Sequence, residues 1–391
     1  MPDADPYGFV ANHLMSGQMA AIRDFWADFT RQADGIDAYF TRTTTVSSVD
    51  PVEFMLALRQ LSPDLMWEFG PGSRGHNLCI TAEVVYELRP LARALRNMAP
   101  DLPRWTFSDA REPVTPEAFG AEFTGRFGRL PALTQVQTTI GPDNRINLAG
   151  RGPDDIESVR DTTLKAALML LGEQADRDWF GFVDAKSDKQ GPFARWRRQA
   201  AQPFDPVSFV EAFDDTVAAV VRSLPDRPVA RRDIDNDPVT LFNVSTPATA
   251  SFRPDLITFT APSAAYANAA LGAAPFSSAT QSKFGEWFMF LRVPFGPFAD
   301  SADVDVRHQI ESQLHTLLSA AQLGGFVAGG HGRDAVYIDF AVTDVAKALR
   351  LLANALAVQS MMEVATFHFL DAGLGAYVIP VSTVSTMLTQ H

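Results

Sequence analysis

The stretch 286–371 constrains the fold of this chain more than any other part of the sequence. It predicts, in order, an apolar strand, a helix, two closely spaced strands joined through a glycine-rich turn, a second helix and a last strand. This βαββαβ order is that of the ferredoxin-like, or split βαβ, unit. The predicted elements are 287–293, 304–321, 326–328, 336–342, 344–357 and 365–370.

The same order of elements is predicted again between residues 36 and 108. Two aromatic residues and three consecutive threonines favour an opening strand at 36–45. Asp50 and Pro51 predict the start of a helix, because Asp caps helix N-termini and Pro fits the first helical position. The remaining elements are a helix that ends before Pro63, strands at 65–69 and 76–82 joined by a Gly/Pro turn, a helix at 83–98 and a strand at 105–107.

A third, shorter version of the order lies between residues 115 and 183. It lacks only an opening strand and therefore predicts α-β-β-α-β. Gly and Pro in the turn 141–144 separate its two hairpin strands. The predicted elements are a helix from 115 to about 127, strands at 133–140 and 145–149, a helix at 156–172 and a strand at 179–183.

The fold class predicted from these patterns is α+β, with tandem ferredoxin-like units whose antiparallel sheets pack on helices. A chain of 391 residues is long enough for two or three domains of about 100–200 residues each. Residues 1–17 are predicted to be an irregular lead-in. The predicted domains are an N-terminal half at 1–184 with units at 36–110 and 115–184, a helical connector and linker at 185–238, and a C-terminal unit at 239–391 with its core at 286–371.

The net charge of −13 and the isoelectric point near 5.0 limit the classes of partner. Binding to nucleic acid requires clustered basic residues that neutralise phosphates, so none is expected here. An acidic surface suits ordinary solubility or a basic protein partner. Exposed sheet edges would also allow a partner strand to be added or the chain to form a homo-oligomer.

Cysteine content and hydropathy indicate a cytoplasmic protein. Cys79 is the one cysteine, so neither an intramolecular disulfide nor a zinc site built from cysteines can form. The N-terminus lacks the pattern of a signal peptide. The apolar stretches are shorter than the roughly 18–20 residues that cross a membrane. No membrane association and no cofactor are predicted.

The segment 324–334 is the most conspicuous local feature of the sequence. Glycines let backbone N–H groups approach an anion, so a weak ligand site is predicted. Phosphate loops of known type follow a strand and open a helix, whereas these glycines precede a strand, which favours a turn with a bulge. The candidate ligand residues are Gly329, Gly330, His331, Arg333 and Asp334.

Two other polar sets allow a functional interpretation beside a structural one. His308, Glu311 and His315 share one face of a predicted helix, which is either a metal-binding pair with its carboxylate or, as favoured here, a solvated face. Glu68 and His76 lie on the two strands of a predicted hairpin. They are either an acid–base pair or, as favoured here, an ordinary cross-strand contact.

Two acidic residues and one basic segment are interpreted structurally. Asp339 alternates with apolar neighbours and is expected on the solvent face of its strand, and Asp344 is expected to cap the next helix. The basic cluster at 186–198, with Trp196, could bind a phosphorylated or nucleic-acid ligand, since aromatic residues interleaved with Arg can stack on bases. A linker helix that docks on an acidic neighbour is favoured.

A resemblance is carried by three scattered runs. They are WEFGPG at 67–72, LLGE at 170–173 with WFGFV at 179–183, and YIDF at 337–340 followed by Asp344 and the pair 348–349. These runs resemble stretches of uncharacterised bacterial proteins of unknown function. The resemblance implies a bacterial, cytosolic origin and assigns no catalytic residue.

The sequence favours a binding protein over an enzyme. Nucleophile-elbow, HExxH and kinase patterns do not occur, and the catalytic residues of any activity are unknown. The first hypothesis is a non-enzymatic binding protein that engages a protein partner, such as a bacterial immunity or antitoxin-like protein that acts against a basic partner. The alternative is a small-molecule-binding or enzymatic protein with its pocket near the 324–334 hairpin.

Overall fold

The chain is an α+β protein that combines helices with antiparallel and mixed sheets. The structure is a computed structural model that describes residues 5–42, 49–188, 203–244, 253–272, 274–295, 304–356 and 364–387. The chain divides into unit 1, residues 1–111 with 344–391, and unit 2, residues 112–343. The first boundary falls between the two predicted N-terminal units, and the second falls inside the predicted C-terminal core.

Unit 1 begins with a buried helix, α1 (Pro6–His13), where an irregular lead-in was expected. The Asp5 carboxylate caps this helix and Pro6 occupies its first position. Phe9 is fully buried, and α1 packs on the helix α4 described below. The prediction for residues 1–17 is therefore wrong, although Asp5 and Pro6 give the same helix-start signal as Asp50 and Pro51.

The helix α2 (Met19–Thr41) replaces the strand predicted at 36–45 over the described residues of that range. Its buried positions recur at helical spacing from Ile22 through Phe29 to Ile36, which is fully buried. Packing of this apolar face outweighs the β preference of Tyr39 and Phe40, whereas the three threonines at 43–45 lie outside the described residues. Among the described residues, the first predicted unit therefore lacks its opening strand.

A three-stranded sheet follows in unit 1. The strands β1 and β2 form an antiparallel hairpin, and β2 and β3 are parallel because α4 connects them. Rings of α2 meet the sheet, with the centroid of Trp26 lying 4.8 Å from that of Phe107. The helix predicted from residue 83 begins only at Arg89, after a 3₁₀ turn. The elements are α3 (Pro51–Met55), β1 (Met66–Gly72), β2 (Gly75–Thr81), α4 (Arg89–Asn97) and β3 (Trp105–Ser108).

The first part of unit 2 has the α-β-β-α-β order predicted for 115–183, and that order is confirmed. Its sheet again combines an antiparallel hairpin, β4 and β5, with a parallel pair, β5 and β6. The helix α6 continues past its predicted end by turning at Gly172, whose φ of 76° favours glycine. The elements are α5 (Pro116–Phe127), β4 (Gln135–Ile140), β5 (Ile146–Gly152), α6 (Ile156–Trp179), β6 (Phe180–Ser187) and α7 (Pro206–Ser223).

The second part of unit 2 is a sheet with the strand order β9-β11-β10-β8-β7 and antiparallel neighbours. The strand β11 is buried along its whole length. The helix α9 and the 3₁₀ turn at Val229–Arg231 pack on β10. The elements are β7 (Thr240–Asn243), β8 (Leu256–Ala261), α8 (Ala264–Leu271), β9 (Trp287–Pro294), α9 (Val304–Ala320), β10 (Gly324–Gly332) and β11 (Ala335–Val342).

Residues 344–391 belong to unit 1. Asp344 caps its first helix as predicted, since its Oδ1 accepts a hydrogen bond from the Lys347 N–H at 3.0 Å. The six elements predicted between 287 and 370 are thus present in the predicted order. None of the described helices combines the length and apolar character needed to cross a membrane. The elements are α10 (Val345–Leu356), β12 (Thr366–Phe369), β13 (Val378–Pro380) and α11 (Val384–Met387).

Candidate functional site

The strand β7 ends its sheet, and among the described residues no strand pairs with its outer edge. Val244 N–H donates to the carbonyl of Ile257 on the β8 side at 2.8 Å. Because hydrogen-bonded positions alternate in an antiparallel pair, Phe242 also directs its backbone groups toward β8. Leu241 and Asn243 therefore direct their N–H and C=O groups outward.

The side chains of β7 leave this edge accessible. Leu241 is 63% exposed, and Val239, just before the strand, is exposed as well. Natural edge strands are usually protected by charge, proline or a bulge. The edge strand β1 contains Pro71, for example, whereas β7 has the sequence TLFN and pairs with β8 without a register shift. An apolar, regular edge of this kind is suited to accepting another strand.

An acidic turn directly precedes β7. The Asn236 side chain donates to the Asp233 carboxylate at 2.9 Å and holds the pKa of Asp233 below its usual value. Asp237 pairs with Arg227 at 2.5 Å, which fixes the end of the turn, and Asp235 is exposed between them. Arg232 also contacts Asp237, at 3.4 Å, so Asp233 and Asp235 carry the negative charge of the turn that leads into the open edge.

The glycines of the conspicuous segment lie inside a strand and not in a turn. Gly329 and Gly330 have strand neighbours on both sides, β11 and β8. The predicted bulge is present, between Phe326 and Ala328, and the chain reverses at 333–334 instead. The backbone of these glycines is thus enclosed by the sheet, and their role in ligand binding stays a prediction.

The glycines allow a polar helix face to approach the sheet closely. A β-carbon on Gly325 would lie 2.6 Å from Nδ1 of His315, and one on Gly329 would lie 2.2 Å from Oε1 of Glu311. A larger residue at either position would have to displace the His315 ring or the Glu311 carboxylate. The structure therefore brings the helix face with Glu311 and His315 against the glycine-rich segment, which the sequence left separate. We call this contact between α9 and β10 the α9–β10 seam.

Glu311 is the most buried carboxylate of the α9–β10 seam. Its Oε1 lies 3.0 Å from Nε of Arg307, and its Oε2 lies 3.0 Å from Nδ1 of His308. Burial raises the pKa of Glu311, and the positive charges of Arg307 and His308 oppose that rise. The His308 ring is 61% exposed, so Glu311 lies behind a solvent-accessible imidazole.

His315 is bound on the inner side of the seam. Its Nδ1 accepts a hydrogen bond from the Phe326 N–H at 3.3 Å, and burial lowers the pKa of His315 despite a hydrogen bond with the Arg232 backbone. The expectation of a solvated face for all three residues is correct for His308 and wrong for Glu311 and His315. Within the described ranges no three His, Cys, Asp or Glu side chains converge as metal ligands.

The remaining candidate ligand residues surround the turn after β10. The His331 ring lies 5.2 Å from the Phe295 ring, and burial together with nearby Arg307 lowers the pKa of His331. Asp255 holds the turn, because its Oδ2 accepts from the Asp334 N–H at 2.8 Å and its carbonyl accepts from the Arg333 N–H at 3.1 Å. Asp255 precedes β8, and nothing in the local sequence links it to this turn.

Asp339 is fully buried, so its expected place on a solvent face is wrong. Both faces of β11 are covered, and the alternation of side chains therefore gives no exposed side. The Asp339 carboxylate contacts Nη2 of Arg253 at 2.9 and 3.0 Å, and the Tyr266 hydroxyl donates to it at 2.8 Å. Arg253 and Tyr266 are buried too and were not identified from the sequence.

Glu68 and His76 do not form a pair with each other. Glu68 lies opposite Cys79 in the hairpin and accepts a hydrogen bond from Nε of Arg111 at 2.9 Å. Nε2 of His76 lies 2.7 Å from Oδ1 of Asp37 on α2. The favoured structural interpretation holds for both residues, although with other partners than the expected cross-strand one.

Most of the basic cluster at 186–198 lies outside the described residues, as does the short helix expected near it. Lys186 is described and is exposed on β6.

Comparison with known proteins found no matching family model, no matching curated protein and no matching solved structure.

Proposed function

We propose that this protein is a non-enzymatic binding protein that takes an extended segment of a partner protein as an added strand on β7. One observation carries the proposal: the outward backbone groups of Leu241 and Asn243, beside a Leu241 side chain that is 63% exposed. Strand addition obtains its affinity from main-chain hydrogen bonds and its specificity from alternate side chains. The four residues of β7 offer both.

The proposed partner segment is basic. Asp233 and Asp235 place negative charge immediately before β7, and the whole chain carries a net charge of −13. Complementary charge accelerates encounter and rejects acidic competitors. A bacterial immunity or antitoxin-like protein that covers a basic partner is one form of this function.

Site-specific photo-crosslinking tests the proposal. A photoreactive amino acid replaces Leu241 in one variant and Val84, an apolar residue that is 67% exposed in unit 1, in a matched control. After irradiation in cells of the source organism, we expect a discrete adduct with a Lys- or Arg-rich protein segment at position 241 and none at position 84. An adduct with a second copy of the chain would show that the added strand comes from self-association and not from a basic partner. Identical adducts at both positions, or none at 241, would contradict the proposal.

A second candidate function is small-molecule binding at the α9–β10 seam. Its specific support is that buried Glu311 contacts the exposed His308, which lies at a shallow, open depression along α9. A carboxyl group with a raised pKa beside an imidazole is a common feature of ligand and acid–base sites. A thermal-shift screen of metals and nucleotides, with His308→Ala and His331→Ala as controls, tests this function. The depression is lined by His308, Gln309, Ser312, Gln313, Thr316 and Leu317.

A further inference from the structure

Arg253 lies in a cage of aromatic rings inside unit 2. Its side chain is 1% exposed, and its Cζ atom lies 4.4 Å from the ring centroid of Phe290, 5.3 Å from that of Phe259 and 5.9 Å from that of Tyr337. A guanidinium group is attracted to aromatic faces at these separations, and the attraction is strongest where water is excluded. The rings thus supply three walls of a cation site.

Asp339 supplies the anionic wall. Nη2 of Arg253 lies 2.9 Å from Oδ1 and 3.0 Å from Oδ2 of Asp339, and the hydroxyl of Tyr266 donates to Oδ2 at 2.8 Å. The carboxylate is therefore oriented by a second buried group that does not belong to the cation. Charge-assisted contacts of this kind are the strongest hydrogen bonds available to a guanidinium.

The walls of the cage and its occupant come from different parts of the chain. Phe259 belongs to β8, Phe290 to β9, and both Tyr337 and Asp339 to the buried strand β11. Arg253 precedes β8 and lies outside any strand. The rings also support one another, since the centroids of Phe290 and Tyr337 lie 5.9 Å apart. The paired strands can consequently hold the walls in place without the arginine side chain.

We propose that this cage is a guanidinium-binding site, that Arg253 is its intramolecular occupant, and that it takes a small alkylguanidinium once that side chain is truncated. A guanidinium is planar and weakly hydrated, so it enters an aromatic cage more readily than an ammonium ion. The ligand class is therefore alkylguanidinium and excludes alkylammonium. This inference is independent of strand addition at β7.

Chemical rescue of Arg253→Ala tests the inference. The variant should melt at a lower temperature than the wild-type protein, and millimolar N-methylguanidinium should raise its melting temperature in a saturable way. Methylammonium and sodium chloride at equal ionic strength should have no such effect, and wild-type protein should respond to none of the three. Arg253→Ala combined with Asp339→Asn should lose the response, because the anionic wall is gone.

A second readout covers the case in which Arg253→Ala does not fold alone. The recovery of folded protein after dilution from urea is then measured with N-methylguanidinium or methylammonium in the refolding buffer. Recovery that rises only with N-methylguanidinium supports the site. Rescue by both cations alike, rescue that persists without the Asp339 carboxylate, or no rescue in either assay would overturn it.

Discussion

Gly329 and Glu311 face each other so closely that a β-carbon on the glycine would stand 2.2 Å from Oε1 of the glutamate. This contact explains why a glycine-rich stretch forms the interior of β10. The polar residues of α9 need space at the sheet, and glycine provides it. The glycine-rich segment, which is the most conspicuous feature of the sequence, therefore allows α9 to pack closely on β10.

Gly329→Ala should destabilise the protein by about 1–3 kcal/mol, the usual cost of overpacking a tight contact. The cost should shrink in a Glu311→Ala background, because the clashing carboxylate is then absent. Urea unfolding of the four proteins in the cycle measures this coupling. Gly70→Ala is the matched control, since a β-carbon there would have no neighbour within 4 Å. Equal costs in both backgrounds would show that the contact is not the cause.

Asp339→Asn should cost about 3–5 kcal/mol, because it leaves the Arg253 charge buried without its counterion. Replacing both residues by leucine should bring the free energy of unfolding back toward that of the wild-type protein, since no buried charge then remains. Urea denaturation of the single and double variants checks this. A double variant that is less stable than Asp339→Asn would rule out an uncompensated charge as the main cost.

The pH dependence of stability should carry a component from Glu311. Burial raises the pKa of this carboxyl above its value in the unfolded chain, so between the two pKa values the folded state binds more protons. The free energy of unfolding therefore falls as pH rises upward from about 4 through that window. Glu311→Gln should remove this component. The measurement is urea unfolding across the window, and an unchanged slope in the variant would refute the assignment.

His315 should act on stability in the opposite direction. Burial lowers its pKa, so just below about pH 6.5 the unfolded chain binds the proton and the folded protein does not. The free energy of unfolding then falls as pH falls. His315→Gln should reduce that loss, and adding His331→Gln should reduce it further, because the pKa of His331 is lowered too. Thermal melts from neutral to mildly acidic pH test this, and identical acid sensitivity in all proteins would contradict it.

Periodicity predicted the elements between 287 and 370, because each has an apolar face long enough to be recognised. It failed at 36–41, where β-favouring residues lie on a helix stabilised by tertiary packing. The buried helix α1 could have been found, since Asp5 and Pro6 repeat the signal of Asp50 and Pro51.

The polar interior could not be predicted from the sequence. Asp339 alternates with apolar residues as a solvent-facing residue would, and its partner Arg253 lies 86 positions away. The open edge at β7 is equally invisible, because it depends on strand order and not on any residue pattern. Elements and caps follow from local residue patterns, whereas these contacts are decided by topology.

Proline substitution at β7 tests the central claim most directly. Leu241→Pro removes an outward N–H and leaves the pairing with β8 intact, whereas Phe242→Pro removes an N–H that β8 uses. We predict that Leu241→Pro retains the wild-type melting temperature and binds the crosslinked partner at least about tenfold more weakly. Phe242→Pro, as the control, should lower the melting temperature. Partner binding by Leu241→Pro at wild-type affinity would contradict strand addition at β7.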